Sequence, residues 1–307
     1  MQTPIVSFEG LRSGDRLKIL DTVSNVDRAL SDWGFLASSD LGFSYELIAK
    51  VFEASATFFL YDTKTKMRSA YLSAEENFGY QAFASEHLDP ASPADLKETF
   101  TMRNILNATI EENRWPSVEF KELMQLFFAE CLERAFLLQR ILATALNLEE
   151  DFFVKFHSGQ NISLRLLHYP VCSSDKVQDS QLGAGAHTDY GLTTFLFQDS
   201  VGGLEICDQD GNWQDVEPDK SVVLINSGDL LERWTNGKYR STLHRVKPMT
   251  FGRDRFSIAF FVDPDSDTEV KVLDSFIGPD SPRKFSDVKA GDYIRERLED
   301  SHHNLYK

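Results

Sequence analysis

The chain has 307 residues, 42% of them hydrophobic, which predicts a globular protein with one large core. Acidic residues outnumber basic ones by 48 to 32, and the formal charge of −16 argues against binding to nucleic acid or to anionic membranes. No apolar run reaches the roughly eighteen residues of a membrane span, and the first residues lack the pattern of a secretory signal. With three widely spaced cysteines, expected to be reduced, these features favour a cytoplasmic protein.

The first half of the chain carries the apolar spacing of helices, interrupted by short strands. The predicted elements in this half are a strand over 4–8, a helix over 16–33, a strand over 35–38 and a helix over 44–61. A helix over 119–146 is the clearest of all, because apolar residues recur along its whole length. We expect this long helix to support a sheet, and a further helix over 290–304 to close the chain.

Residues 73–104 have no clear period and are rich in turn-forming and charged residues. A segment of this length without its own core is usually functional or disordered. We therefore expect a mobile lid that closes over the functional site and contributes contacts near Glu86.

From residue 162 onward the pattern changes to short strands separated by turns. The predicted strands cover 162–169, 192–198, 204–208, 212–216, 221–226, 239–247, 255–263 and 269–273. The turns include a hairpin at 208–212 and another at 226–229. About eight short strands at this spacing are typical of a sandwich, a jelly roll or a barrel.

Two metal-binding residue types occur together in the segment 186–191, which reads Ala-His-Thr-Asp-Tyr-Gly. His187 and Asp189 are two positions apart, so an extended backbone projects both side chains from the same face. One imidazole and one carboxylate are two of the three ligands of the facial triad, which binds ferrous iron and leaves positions open. A His-x-Asp pair is common by chance, so the interpretation requires a third ligand.

His244 and Arg255 lie on two strand-like runs joined by the turn-like segment 248–252. If the two runs pair as a symmetric hairpin, His244 stands opposite Arg255, and directly opposed residues share a face of the sheet. Ser257 and Phe261 follow Arg255 on that face, because the side-chain period of a strand is two. The third metal ligand, a cation and a hydroxyl group are therefore predicted to converge on one pocket.

These residues and their order resemble the isopenicillin-N-synthase-like branch of the Fe(II)/2-oxoglutarate-dependent oxygenases. The motifs that carry the resemblance are His187-x-Asp189, His244 and Arg255-x-Ser257, with Trp33-Gly-Phe35, Gly79-Tyr80, Tyr169-Pro170, Asn226-x-Gly228-Asp229 and Asn236-Gly-x-Tyr239. They span nearly the whole chain and are specific for the family, though not for a substrate.

The resemblance implies a mainly β fold with flanking helices, whose catalytic core is a double-stranded β-helix, or jelly roll. We divide the chain into an N-terminal helical and mixed region over 1–110 and the core over 111–307, packed as one compact unit. The implied site residues are His187, Asp189 and His244 for Fe(II), and Arg255, Ser257 and Tyr169 for the distal carboxylate of 2-oxoglutarate. With O2, these cofactors imply hydroxylation, desaturation or ring closure of a small metabolite, with release of succinate and CO2.

One departure from the family concerns the strand before Pro170. Many relatives have Asn-Tyr-Tyr-Pro where this chain has Leu-His-Tyr-Pro at 167–170, so an Asn that can contact 2-oxoglutarate near the iron is replaced by Leu167. The family's contact to the C1 carboxylate therefore does not transfer to this chain. His168 either reaches the pocket or caps a strand. The expected substrate contacts are Glu86, His168, Tyr190 and Phe261.

The main alternative is an iron oxidase of the same fold that takes its electrons from the substrate, because Arg-x-Ser can also hold a substrate carboxylate. A catalytically silent binding module is a second alternative, and the intact ligand set argues against it. A zinc site is a third, although catalytic zinc prefers a tetrahedral arrangement with a bound water.

Overall fold

The computed structural model describes residues 3–89 and 91–301. Its helices are α1 (Glu9–Arg12), α2 (Arg16–Asp32), α3 (Tyr45–Phe59), α4 (Thr63–Lys66), α5 (Val118–Ala145), α6 (Asp229–Trp234) and α7 (Ala290–Ser301). Its strands are β1 (Phe35–Ser38), β2 (Phe78–Gln81), β3 (Glu98–Arg103), β4 (Ser163–Tyr169), β5 (Ala184–His187), β6 (Thr193–Gln198), β7 (Leu204–Cys207), β8 (Trp213–Asp215), β9 (Val223–Ser227), β10 (His244–Val246), β11 (Arg255–Val262), β12 (Glu269–Val270) and β13 (Val288–Lys289). Among the helices of the described ranges, none combines the length and the apolar character that crossing a bilayer requires.

Two antiparallel sheets face each other across a hydrophobic cluster. Seven strands form the larger sheet, in the order β1-β9-β6-β11-β4-β3-β2, and four form the smaller sheet, in the order β5-β10-β7-β8. Both sheets contribute to the cluster between them, Leu224 and Ala259 from the larger sheet, Ile206 and Val246 from the smaller. The predicted jelly-roll core is therefore confirmed.

The alternation of side chains along β11 shows how the larger sheet separates its two faces. Phe260 belongs to the hydrophobic core under the helices, whereas Ala259 and Phe261 belong to the cluster between the sheets. Because successive side chains of a strand point to opposite faces, Arg255 and Ser257 share the face of Ala259. β11 therefore presents a polar end to the space between the sheets.

The helices α2, α3 and α5 are well defined at their first turns and pack on the outer face of the larger sheet. Asp15, Ser44 and Ser117 cap them, since each side chain accepts a hydrogen bond from a backbone amide of the first turn. Phe127 and Phe128 of α5 pack edge-on against rings of β6 and β11. The long helix supports the sheet, as predicted.

The segment 73–104 is not the structureless lid that its composition predicts. It contains β2 and β3, and β3 pairs with β4 along its whole length, from Glu98 opposite His168 to Arg103 opposite Ser163. The turn-forming and charged residues around these strands conceal them in the sequence. The prediction of a mobile lid is wrong for β2 and β3, which are integral strands of the larger sheet.

Several smaller elements also differ from the predictions. The chain forms the helix α6 directly after β9, where the sequence predicts a hairpin turn at 226–229. The predicted opening strand is reduced to a single bridge between Ile5 and Ala37, and α1 follows it. β5 and β13 are too short to show a period in the sequence. The closing helix is present as α7, and its predicted residues 302–304 lie outside the described ranges.

The predicted hairpin between the strands of His244 and Arg255 is wrong. His244 pairs with His187 of the smaller sheet, whereas Arg255 pairs with Tyr169 of the larger sheet. The connection 247–254 therefore carries the chain from one sheet to the other instead of folding it back on itself. The two residues lie on facing sheets, and the core between the sheets is what relates them.

We expect Phe100→Ala to lower the free energy of unfolding by about 3–5 kcal/mol, because it leaves a cavity in the core under the helices. The Phe100 side chain is fully buried, and its ring centroid lies 4.9 Å from that of Phe58 and 5.5 Å from that of Phe78. Urea unfolding measures the loss. Phe251→Ala, at a position that is 86% exposed, is the control and should change stability by less than about 0.5 kcal/mol. Equal losses in the two variants would contradict this account.

Candidate active site

Three side chains of types that can bind a metal meet at the end of the smaller sheet. His187 ends β5 and His244 begins β10, where the two residues pair directly. Asp189 follows just beyond β5, and the ligating atoms of the three side chains all lie within 4.8 Å of one another. The distance from Nε2 of His244 to Oδ1 of Asp189 is 3.8 Å. Two imidazoles and one carboxylate around a common point are the donor set of the Fe(II) facial triad.

Hydrogen bonds to the backbone orient both imidazole rings. Nδ1 of His187 lies 2.7 Å from the carbonyl oxygen of Gly185, and Nδ1 of His244 lies 3.0 Å from that of Thr242. A carbonyl can only accept a hydrogen bond, so each Nδ1 carries the proton and each Nε2 keeps its lone pair. Burial, with the neighbouring His244, lowers the pKa of His187 to about 3, so its ring is neutral at pH 7. Neutral imidazole with a free Nε2 is the form that binds a metal.

The carboxylate of Asp189 is fixed from the side opposite His244. Its Oδ2 accepts a hydrogen bond of 2.6 Å from Nδ2 of Asn226 on β9, which leaves Oδ1 directed to the cluster. Burial on its own would raise the pKa of Asp189, but His244, His187 and this hydrogen bond together hold it below its ordinary value. The carboxylate is therefore ionised, as a metal ligand must be.

The helix α6 positions the backbone of Asp189. The backbone amide of Asp229, at the start of α6, donates a hydrogen bond of 2.8 Å to the carbonyl oxygen of Asp189. Immediately before it, a Cβ atom added to Gly228 would lie 2.4 Å from the carbonyl oxygen of Gly191. Only glycine permits this close approach of two backbones, which explains the glycine of the Asn-x-Gly-Asp motif where α6 begins.

A buried guanidinium without an acidic partner lies on the larger sheet. Arg255 is 1% exposed, its Nη1 donates to Oγ of Ser257 at 3.2 Å, and it lies over the ring of Tyr169 at 4.8 Å. Within the described ranges no carboxylate forms an ion pair with Arg255, and its Nε has no hydrogen-bond partner. An unpaired buried cation is costly, so this site fits an anionic group that arrives with a ligand. A carboxylate matches its forked donors.

The strand β4 directs alternate residues to opposite faces. Leu167 and Tyr169 belong to the cluster between the sheets. His168 points the other way, with Nδ1 2.8 Å from Glu98 and its ring stacked 4.6 Å from that of Phe256. The structure therefore does not bring His168 into the cavity beside the metal-binding residues, and its role there is to hold the outer face of β4.

A cavity of about 90 Å³ adjoins His187 and Asp189. Glu86, Tyr190 and Phe261, three of the four expected substrate contacts, line it. The other side chains that line it are Asn77, Gln81, Leu88, Lys97, Thr101, Ser163, Arg165, Leu167, Tyr169, Asp263, Ile294, Leu298 and Ser301. The last three belong to α7, so the closing helix forms one wall of the cavity.

Sequence reasoning missed a charge cluster at this cavity, which we define as Glu86, Asp95, Lys97 and Arg165. Nζ of Lys97 lies 2.6 Å from Asp95 and 2.9 Å from Glu86, and Nη2 of Arg165 lies 2.9 Å from Glu86. Asp95 also accepts a hydrogen bond of 2.9 Å from the backbone amide of Gly185, whose carbonyl orients the histidine of β5. A signal that could have pointed to it is the single charged residue among the leucines of a predicted strand, Leu-Arg-Leu-Leu at 164–167.

Two family models match the chain. The 2OG-Fe(II) oxygenase superfamily matches residues 160–264, and the family described as non-haem dioxygenase in morphine synthesis N-terminal matches residues 3–118. The 2-oxoglutarate-Fe(II) type oxidoreductase ppzD of Metarhizium rileyi is 31% identical over 292 residues, covering 88% of this chain and 82% of the relative. The proline hydroxylase buaE of Petromyces alliaceus is 30% identical over 295 residues, covering 90% and 92%.

Solved structures agree with these matches. A full-length Neurospora crassa protein, crystallised in complex with alpha-KG and thymine, superposes with a TM-score of 0.87 at 31% identity and 96% coverage of both chains. JOX2 in complex with 2OG, Fe and JA superposes with a TM-score of 0.82 at 25% identity, covering 98% of this chain and 89% of that one. The resemblance in the sequence motifs is thus confirmed: the chain belongs to the 2OG-Fe(II) oxygenase superfamily and is a 2-oxoglutarate-dependent Fe(II) oxygenase.

Proposed function

We propose that this oxygenase binds Fe(II) through His187, Asp189 and His244 and oxidises a small molecule held in the adjoining cavity. The observation that supports the proposal best is that the ligating atoms of the three side chains lie within 4.8 Å of one another. The hydrogen bonds at Nδ1 of both histidines favour the tautomer that a metal requires. The donor set also leaves positions open for a co-substrate and O2.

The co-substrate site in this proposal is the polar end of β11. Arg255 receives the distal carboxylate of 2-oxoglutarate, Ser257 adds a hydroxyl donor, and Tyr169 packs against the guanidinium. Leu167 lies opposite Ser257 in the sheet and keeps water from the co-substrate, in place of the polar contact of many relatives. Gln198, whose Oε1 is 3.5 Å from Nη2 of Arg255, holds the guanidinium from the neighbouring strand.

When bound, Fe(II), 2-oxoglutarate and O2 supply the oxidising power, and 2-oxoglutarate leaves as succinate and CO2. The protein's own contribution is orientation and shielding. Phe261 and Tyr190 hold the substrate from the sides, and the α7 residues Ile294 and Leu298 close the cavity against water. Hydroxylation, desaturation and ring closure all fit this arrangement, since each begins with removal of a hydrogen atom from the substrate carbon that faces the metal.

We further propose a cytoplasmic enzyme that uses small molecules as substrates, with neither nucleic acid nor membrane as a partner. The formal charge of −16 supports this, because polyanions and anionic lipid surfaces repel such a chain. A named proline hydroxylase and a structure with bound thymine among the similar proteins support a substrate of metabolite size.

Replacing any one ligand should abolish metal binding while the fold survives. We expect His187→Ala, Asp189→Ala and His244→Ala to bind no Fe(II) in anaerobic calorimetry and to release no succinate from 2-oxoglutarate. His87→Gln is the matched control, because the His87 side chain bonds a loop carbonyl and is not in the cluster. Full metal binding in any of the three variants would remove that residue from the ligand set.

Arg255→Ala should weaken 2-oxoglutarate binding about ten- to hundredfold, since it removes charge-assisted hydrogen bonds of about 1.5–3 kcal/mol. Equilibrium dialysis of 2-oxoglutarate against the metal-loaded protein under anaerobic conditions measures the change. Arg253→Ala is the control, because this exposed arginine two residues earlier bonds only Ser200 among the described side chains. Turnover at full rate in buffer free of 2-oxoglutarate would establish the same-fold oxidase instead.

Asn226→Ala should weaken Fe(II) binding about ten- to hundredfold, the usual effect of losing a hydrogen bond that orients a metal ligand. The reason is that Nδ2 of Asn226 fixes Oδ2 of Asp189 at 2.6 Å. Competition with a calibrated chelator measures the affinity, and the exposed Asn107→Ala serves as control. An unchanged affinity would show that the backbone bond from α6 alone suffices to hold Asp189.

A further inference from the structure

Two buried hydrogen-bond donors in the cavity lack a partner in the described part of the chain. They are Nε of Arg165 and Nε2 of Gln81, and both side chains line the cavity beside the metal-binding residues. Neither group can accept a hydrogen bond, so each requires an acceptor to be satisfied. Native proteins rarely leave such groups unpaired, and a ligand is a common source of the missing partner.

The orientation of the Gln81 amide is fixed by its neighbours. Oε1 of Gln81 accepts hydrogen bonds of 2.9 Å from Nη2 of Arg165 and 3.0 Å from Oγ1 of Thr99. Turning the amide over would place its NH2 group against the guanidinium donors. Nε2 is therefore the atom left without a partner, on a side chain that lines the cavity.

The two cations of the charge cluster are already paired with carboxylates. Lys97 and Arg165 face Glu86 and Asp95, and all four side chains are at most 11% exposed. Asp263 is the remaining acidic group of the wall outside the candidate metal ligands, so it adds a carboxylate and no unpaired cation. A ligand with a negative charge would lose its hydration here without meeting a free counter-charge.

The size of the cavity and its aromatic side chains restrict the shape of the ligand. A cavity of about 90 Å³ is on the scale of a single ring, and Tyr190 and Phe261 supply aromatic surface on which a flat molecule packs. Hydrophilic side chains occupy inward-facing positions on three neighbouring strands, with Gln81 on β2, Thr101 on β3 and Arg165 on β4. The cavity therefore combines an aromatic side with a side of hydrogen-bonding groups.

We propose that Gln81 and Arg165 select a ring-sized substrate that carries a carbonyl oxygen and no negative charge, such as a cyclic amide, and turn its ring toward the metal-binding residues. This inference rests on the proposed function, because it assigns the substrate class of the same site. The carbonyl oxygen accepts from Nε2 of Gln81 and Nε of Arg165. A carboxylate on the same ring has no cation left to pair with, so it is rejected.

The test is equilibrium dialysis of the full chain, loaded with Fe(II) and 2-oxoglutarate under anaerobic conditions, against matched pairs of small molecules. The pairs are thymine with 5-carboxyuracil, and 2-pyrrolidinone with pyroglutamate, in which the second member adds a carboxylate. We expect the neutral member of at least one pair to bind at least tenfold more tightly than its acid. Acids that bind as well as the amides, or no binding by any amide at millimolar concentration, would overturn the inference.

Two conservative variants test the named donors. Arg165→Lys keeps the positive charge beside Glu86 but removes Nε, and Gln81→Glu keeps the acceptor oxygens but removes the Nε2 donor. Each should weaken binding of the neutral amide at least tenfold, whereas the exposed changes Arg16→Lys and Gln160→Glu should leave it unchanged. Unaltered amide binding in both donor variants would show that the substrate is selected elsewhere.

Binding of 2-oxoglutarate to the same metal-loaded protein separates this inference from the function on which it rests. If 2-oxoglutarate binds and the amides show no preference, only the substrate class is wrong. If 2-oxoglutarate does not bind, the proposed function fails and the substrate class fails with it.

Discussion

The pairing of β5 with β10 is the interaction on which the rest of the site depends. It places His187 directly opposite His244 although 57 positions separate them in the chain. Each ring then donates from Nδ1 to the carbonyl two residues before it in its own segment. The strand pairing fixes the separation of the two imidazoles. The same local hydrogen bond, made once by each ring, fixes their tautomer and their direction. Asp189 needs only to follow β5 by two residues to complete the set.

Much of this arrangement could be predicted from the sequence, because the chemistry-bearing residues follow strand periodicity. Arg255, Ser257 and Phe261 share a face as their spacing predicts, and the three ligand positions do meet. The pairing of the strands could not be predicted. The alternation of apolar and polar residues shows which side chains share a face of a strand, but not which sheet contains that strand. That is why the pattern predicts one hairpin for His244 and Arg255, which lie on facing sheets.

β2, β3 and the charge cluster were beyond sequence reasoning for a related reason. The inward face of these strands lines a polar cavity, so Gln81 and Thr101 occupy positions where a core strand would carry apolar residues. Without alternating apolar residues, the segment has the sequence pattern of a loop. Lys97 and Arg165 are of residue types that are usually exposed to solvent, so the sequence does not predict that they are buried. Only the folded chain brings their carboxylate partners to them. Buried ion pairs of this kind contribute little net stability, because the cost of removing the charges from water offsets their attraction.

The wall of the cavity that α7 forms differs from the walls formed by strands in how a substitution affects the rest of the fold. A substitution on β4 disturbs side chains packed against β3 and β11 on both sides, whereas Leu298 and Ser301 belong to a helix that pairs with no strand. Changes at these positions reshape the cavity without breaking a ladder of backbone hydrogen bonds. α7 is therefore the wall through which the shape of the cavity can change at the least cost to the two sheets that position the candidate metal ligands.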